Sequence, residues 1–158
     1  LCDCDENGVM SQMIEIYTKY QCSVIAIEEI PFTQIEKYGI VSGDLIDGTN
    51  NTFRVTNMVE KPNPHDVMDF MENRVNQNKT LRFMAIIGRY ILTPDIFEIL
   101  RSIKTDNGSE IQITDALLTQ AKQGKVIAYK FNGRRFDCGS VEGYVNATNY
   151  FAKQKEII

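Results

Sequence analysis

The chain has 158 residues, 43% hydrophobic and 24% charged, with a formal net charge of −4 at pH 7. That suits one soluble globular domain with a real core, and the lack of a basic stripe argues against a nucleic-acid binder, whose phosphate contacts need clustered Lys and Arg. No apolar run approaches the roughly 18 residues of a membrane span, and the acidic opening LCDCDENG does not read as a secretory leader, so the expectation is a cytoplasmic protein without membrane contact.

The spacing of Val9, Met10, Met13, Ile14 and Tyr17 predicts an amphipathic helix. CSVIAIEEI follows as a short, β-branched, mostly buried strand that Pro31 ends. YGIVSGDLI and TFRVTNMVEK flank the turn-rich DGTNN and predict a β-hairpin. KPNPHD reads as a loop because Pro62 and Pro64 forbid regular pairing. VMDFMENRVNQN is helix-like, with Val67, Phe70, Met71 and Val75 on one face. RFMAIIGRYIL predicts a long buried strand interrupted by Gly88.

Two helices with start signals come next. In TPDIFEILRSI, Thr93 is the expected cap, Pro94 the first position and Asp95 the favourable charge. In TDALLTQAKQG, Thr114 is the expected N-cap and Gly124 the residue just past the end. KVIAYKF predicts a strand, NGRRFD a further short one, and SVEGYVNATNYFAKQKEII a final helix. Alternating strands and helices predict an α/β fold with a mixed, mostly parallel sheet flanked by helices.

The four cysteines, Cys2, Cys4, Cys22 and Cys138, match no common zinc spacing and read as free thiols. His65 stands alone in a polar loop, so no histidine-based triad can be assembled, and no Gly-rich phosphate loop is present.

Three places could carry chemistry. Glu60-Lys61-Pro62 follows a strand: it reads either as surface decoration or as a carboxylate for hydroxyls beside an ammonium for a phosphate. Tyr38-Gly39 either serves a turn or lets backbone approach a ligand. Asp137, in GRRFDCGSVEGY, either caps the helix starting near Ser140 or holds a hard cation such as Mg²⁺ at a strand end.

The blocks KYQCSVIAIEE, KYGIV, MVEKP, AIIGRYILTPDIFEIL, EIQITDALLTQAK, VIAYKFNGRRFDCGS and EGYVNATNYF run from about Met10 to the end of the chain. In that order they resemble the bacterial UTP–glucose-1-phosphate uridylyltransferases, also called UDP-glucose pyrophosphorylases. EKP alone is a weak signal. EIQITDA followed at the right distance by FDCGS is a specific one, and Cys138 stands where sugar-nucleotide thymidylyltransferases carry Thr.

The resemblance implies a nucleotide-diphospho-sugar transferase fold, Rossmann-like, and the transfer of a uridylyl group from UTP to glucose 1-phosphate, giving UDP-glucose and pyrophosphate. It implies that Gly39 approaches the glucose, Glu60 accepts from sugar hydroxyls, Lys61 contacts the sugar phosphate, and Asp137 is one of two aspartates on an essential Mg²⁺. A homo-oligomer is implied too, and the final helix, with Tyr144, Tyr150, Phe151 and Ile157, could serve either that contact or the core.

Against the family pattern, residues 1–158 correspond to the C-terminal, sugar-phosphate-binding part of the domain. The nucleotide-binding part, with its Gly-rich loop and the first metal-binding aspartate pair, is expected upstream. Asp3 and Asp5 are then loop residues, the chain alone is expected to be inactive, and DVMDFMENRVNQNKTLRF reads as an inserted or altered segment. The competing readings are a related nucleotidyltransferase for another base or sugar, and a non-catalytic sugar-phosphate-binding or oligomerisation module.

Overall fold

A computed structural model describes residues 2–3, 7–65, 67, 83–104 and 110–156. The helix predicted from VMDFMENRVNQN lies, apart from Val67, outside the described residues. The chain forms two compact units, one from residues 13–131 and one from residues 1–12 with 132–158. Helix α1 (Val9–Tyr20) begins in the second of these and ends in the first.

The larger unit is built on β2 (Ser23–Ile30). Its residues from Ser23 to Ile27 are all buried, as a strand covered on both faces requires. It pairs antiparallel with β5 (Phe83–Ile91) on one side and parallel with β6 (Val126–Lys130) on the other. The predicted hairpin is present as β3 (Ile40–Leu45) and β4 (Thr52–Val59).

The α/β class and the mixed sheet stand, but the balance of pairings differs from expectation. Among the described strands of this sheet, only β2 with β6 is parallel. The reason is the reach of the hairpin. Ile40 and Val41 pair with Ala85 and Met84 of β5, while Thr52, Phe53 and Arg54 pair with Tyr129, Ala128 and Ile127 of β6. The order β2-β5-β3-β4-β6 therefore closes on itself.

Two helices, α2 (Ile96–Ser102) and α3 (Ile113–Lys122), contribute Ile96, Ala116, Leu117 and Ala121 to the core formed with Ile25, Ile27, Val41, Val55 and Ile86. In β5 only Ala85 and Ile86 are buried, which is less than its composition suggested. Gly88 has φ +73°, and around it the register jumps from Ile25 opposite Tyr90 to Ile27 opposite Ile86: a bulge that turns part of the strand outward.

Both predicted caps fail, for one reason: the hydroxyls are spent or placed elsewhere. The Thr93 side chain bonds Ser23, Gln120 and the Asp95 carboxyl rather than a backbone N–H of the helix, and α2 has no side-chain cap. Thr114 lies inside the first turn of α3, which starts at Ile113. Gly124, at φ +73°, ends α3 as expected.

In α1, Val9, Gln12 and Met13 are buried, whereas Met10 and Ile14 are exposed, so the inward stripe is rotated from the one predicted. Gln12 is held inside by donating to the Asn7 and Asn132 carbonyls and accepting from the Asn132 N–H.

The smaller unit pairs β1 (Cys2–Asp3) antiparallel with β7 (Arg134–Arg135), so the Asp3 backbone is strand rather than loop. Helix α4 (Val141–Gln154) carries Tyr150 and Phe151 into an aromatic cluster with Phe136, ring centroids 4.9 and 5.6 Å away. The Arg134 guanidinium lies 5.0 Å from the Phe136 ring and 4.9 Å from that of Tyr150. Tyr150 and Phe151 thus serve packing, while Tyr144 is exposed. Cys2, Cys22 and Cys138 are free thiols, and no helix among the described residues is long and apolar enough to cross a membrane.

Gln120, fully buried, joins β2 to α2 by accepting from Ser23 and donating to Thr93 and Asp95. A hydrogen bond from Thr93, more than any other contact, holds the Asp95 carboxyl below its ordinary range, with Gln120 and the Lys125 ammonium adding and burial opposing. A lowered carboxyl stabilises the fold at any pH above the unfolded value of about 3.9 and ceases to do so as pH falls through the folded value. The stability lost in Asp95→Asn should therefore be full at pH 6–7 and shrink towards zero below about pH 4, read by urea unfolding at each pH.

Candidate functional site

The hairpin register decides where the candidate residues meet. Ile40 stands opposite Val59, so Gly39 and Glu60 flank the same end of the ribbon. The register continues one step further, because the Lys61 N–H donates to the Tyr38 carbonyl at 3.2 Å. On its other side, Gly39 accepts from the Ile86 N–H at 2.8 Å. Two backbone bonds from different strands thus hold the Tyr38-Gly39 step.

Gly39 is required by its neighbours. A Cβ there would stand 3.0 Å from Glu60 Oε2, 3.2 Å from Ile86 Cδ1 and 3.3 Å from Thr114 Cγ2. Three side chains, one just past the end of β4, one from β5 and one from α3, converge on the place a larger residue would fill. The Glu60 carboxylate is only 29% exposed, and its charge, after burial, pushes the Tyr90 phenol up from its usual range.

Lys61 has φ +41°, a left-handed conformation that side-chain-bearing residues seldom adopt. Pro62 restricts it further from the other side. This backbone turn brings the neighbouring acid and base together instead of sending them to opposite faces: Lys61 Nζ lies 3.9 Å from Glu60 Oε1. With Lys61 63% exposed, the pair is weak, and the ammonium is free to exchange it for a phosphate. Strain of about 1–3 kcal/mol at such a position persists only where the surroundings hold it. Here the Tyr38 carbonyl does so.

Asp137 belongs to the smaller unit and is described by itself. It does not cap α4: Ser140 does, accepting from the Gly143 N–H at 3.1 Å. Asp137 Oδ1 accepts from the Gly139 N–H at 3.1 Å, and Oδ2 lies 3.5 Å from Arg135 Nη1. Its side chain is 54% exposed and borders a cavity of about 680 Å³ shared with Arg134, Arg135, Asn146, Tyr150 and Lys153. Gly143 is indispensable to this loop, since a Cβ on it would lie 1.8 Å from the Asp137 carbonyl oxygen. Among the described residues, no group of three or more His, Cys, Asp or Glu gathers to hold a metal ion.

The structure thus brings Gly39, Glu60 and Lys61 together. It adds Thr114, Tyr90 and Gly143, none of which the sequence reading placed at a site. Thr114 was hidden by its resemblance to a helix cap, and Tyr90 by a strand pattern that explained it fully. Gly143 could be read only from the approach of a carbonyl six residues earlier in the chain.

Two UTP–glucose-1-phosphate uridylyltransferases of Pseudomonas aeruginosa are 46% and 49% identical over 144 residues, 91% of this chain and 46% of each relative. The chain thus spans about half the length of the curated relatives it matches. A crystal structure of apo UDP-glucose pyrophosphorylase superposes with a TM-score of 0.82 at 46% identity, covering 98% of this chain and 52% of that one. The structure of a UDP-glucose pyrophosphorylase complexed with UDP-glucose follows at 0.79, with 46% identity and coverage of 98% and 53%. The nucleotidyl transferase family pattern runs through residues 7–154: the chain belongs to the nucleotidyl transferase family.

Proposed function

We propose that this chain is the sugar-phosphate-binding part of a UTP–glucose-1-phosphate uridylyltransferase. The observation that carries the reading is the strained Lys61, clamped to Tyr38 so that its ammonium and the Glu60 carboxylate flank Gly39. A decorative surface pair would not hold a left-handed backbone ahead of a proline.

In this reading the Glu60 carboxylate accepts hydrogen bonds from glucose hydroxyls, and Lys61 exchanges its weak contact with Glu60 for the sugar phosphate. A phosphate oxygen of glucose 1-phosphate then attacks the α-phosphorus of UTP. The new P–O bond forms as the bond to pyrophosphate breaks, and UDP-glucose results. No protein nucleophile is needed, because such transfers depend on positioning and charge neutralisation.

A divalent metal is implied by the family, and Mg²⁺ suits it, since that ion takes one or two carboxylates plus phosphate oxygens. Asp137 fits as one such carboxylate: its side chain is 54% exposed, and the cap of the helix is Ser140 rather than Asp137. When bound, the ion would neutralise charge on the phosphates. Asp137 would hold it against the nearby Arg135 charge.

The direct test is UDP-glucose formation from UTP, glucose 1-phosphate and Mg²⁺. The sequence holds no Gly-rich triphosphate cradle, so the 158-residue chain alone should bind glucose 1-phosphate yet show no turnover. Sustained turnover of roughly 1 per second or more, or a failure to bind the sugar phosphate, would refute the assignment.

Two substitutions separate the roles within the uridylyltransferase that contains this chain. Lys61→Ala and Lys61→Gly should each lower kcat/KM roughly 10- to 150-fold, the loss of a charge-assisted phosphate contact. Lys61→Gly should nevertheless be the more stable of the two by about 1 kcal/mol, because glycine adopts the left-handed φ without strain. Asp137→Asn should unfold within about 0.5 kcal/mol of the parent and lose activity by orders of magnitude, partly regained at high Mg²⁺ or Mn²⁺. Melting curves and steady-state rates on the same preparations check both.

A further inference from the structure

The cavity that Asp137 borders has a second end, which the reaction as described does not use. The cavity belongs to the smaller unit alone and is lined by β7 and α4 residues. Asn146, Asn149 and Lys153 follow one another at spacings of three and four residues, so they share one face of α4. All three line the cavity, as does Arg134 from β7. Charge is sorted along it. The carboxylates of Asp137 and Glu142 belong to the start of α4 and the loop before it, whereas Lys153 stands in the last turn, about 16 Å further along the helix axis than Glu142. Arg134 is fixed at the basic end: its guanidinium lies 4.9 Å from the ring of Tyr150, which precedes Lys153 by one helical turn, and 5.0 Å from that of Phe136.

The polar groups at this end are unspent. Among the described residues, the Arg134 guanidinium and Lys153 Nζ make no ion pair and the Asn146 and Asn149 amides no hydrogen bond, although two carboxylates border the same cavity. Asp137 is met by Arg135 instead. A planar guanidinium laid against two aromatic rings has lost much of its rotamer freedom before any ligand arrives, so ordering it on binding costs little. A bidentate fork, a point charge and amide donors together form the set that recognises a phosphate group. About 680 Å³ is also room for a small organic ligand. We propose that the basic end of this cavity is a phosphate-binding site, with Arg134 as the bidentate partner, Lys153 as the second charge and the Asn146 and Asn149 amides beside them. The site uses none of Gly39, Glu60 and Lys61, so it does not depend on the reading of that site. The phosphate is either free or carried by an ester whose hydroxyls face Asp137 and Glu142, which as carboxylates can only accept.

The test is calorimetric titration of the 158-residue chain carrying Lys61→Ala, which removes the other cation assigned to a phosphate. EDTA and about 0.15 M salt exclude metal bridging and loose ion pairing. The probes are inorganic phosphate and glucose 6-phosphate. One saturable site with Kd of about 1 mM or tighter is expected. Tighter binding of the ester identifies an ester as the ligand, and equal binding identifies free phosphate. Arg134→Gln should weaken binding at least about 10-fold, the loss of a charge-assisted contact. That change also removes the ring stacking, so melting curves accompany it. If Arg134→Gln melts early, Asn149→Asp decides, because this exposed side chain brings a carboxylate to the cavity without disturbing packing. It should melt like the parent and lose phosphate binding by about 10-fold or more. Unchanged binding in Asn149→Asp overturns the proposal. Phosphate binding that Lys61→Ala alone abolishes also overturns it, and assigns all the affinity to the Glu60–Lys61 site. No binding by either the parent or the Lys61→Ala chain overturns it as well.

Discussion

The pairing of Ile40 with Val59 is the constraint on which the candidate site depends. Because side chains alternate along a strand, a slip of one residue would carry Gly39 away from Glu60 and turn every inward residue of the ribbon outward. The register is held at both ends. Ile40 and Val41 are buried against β5 at the open end, and Thr52 to Arg54 pair with β6 at the other. Arg54 also reaches the Gly124 carbonyl beyond the end of α3. The hairpin therefore cannot shift without breaking contacts to two strands and a helix terminus, and that rigidity places one carboxylate and one ammonium beside a glycine.

Local cost and global stability are separated in the same region. Lys61 holds an unfavourable φ, and Thr114 buries a hydroxyl without a partner. Each feature would be eliminated if stability alone set the residue. Both lie within reach of Gly39, while the opposite end of β2 is fully satisfied: Ser23, Thr93, Gln120, Asp95 and Lys125 complete one another's hydrogen bonds and charges. Unfavourable local terms gathered at one end of a sheet, with a satisfied polar network at the other, are what a rigid scaffold carrying a binding site should show.

The Asp137 loop uses a different device. Its carbonyl leaves no room for a Cβ on residue 143, and Ser140 rather than Asp137 takes the capping role. The aromatic cluster of Phe136, Tyr150 and Phe151, with Arg134 stacked on it, anchors the loop from the strand side. A carboxylate made exposed by surrounding rigidity is well suited to meet a charged partner.

Much was legible in the sequence because it is encoded in periodicity and chain-breaking residues. The β2 run, the hairpin around DGTNN, the stop at Pro31 and the end of α3 at Gly124 all follow from propensities of a few neighbouring residues. Glu60, Lys61, Gly39 and Asp137 could be nominated from their positions at element ends. Tertiary structure alone decided how those residues are placed. The left-handed turn at Lys61 comes from a carbonyl across the hairpin. The displacement of Thr93 and Thr114 from their capping roles comes from partners or packing on distant elements. The predominance of antiparallel pairing comes from a hairpin long enough to reach two strands. Each is set by contacts between residues far apart in the chain, which no window of sequence contains.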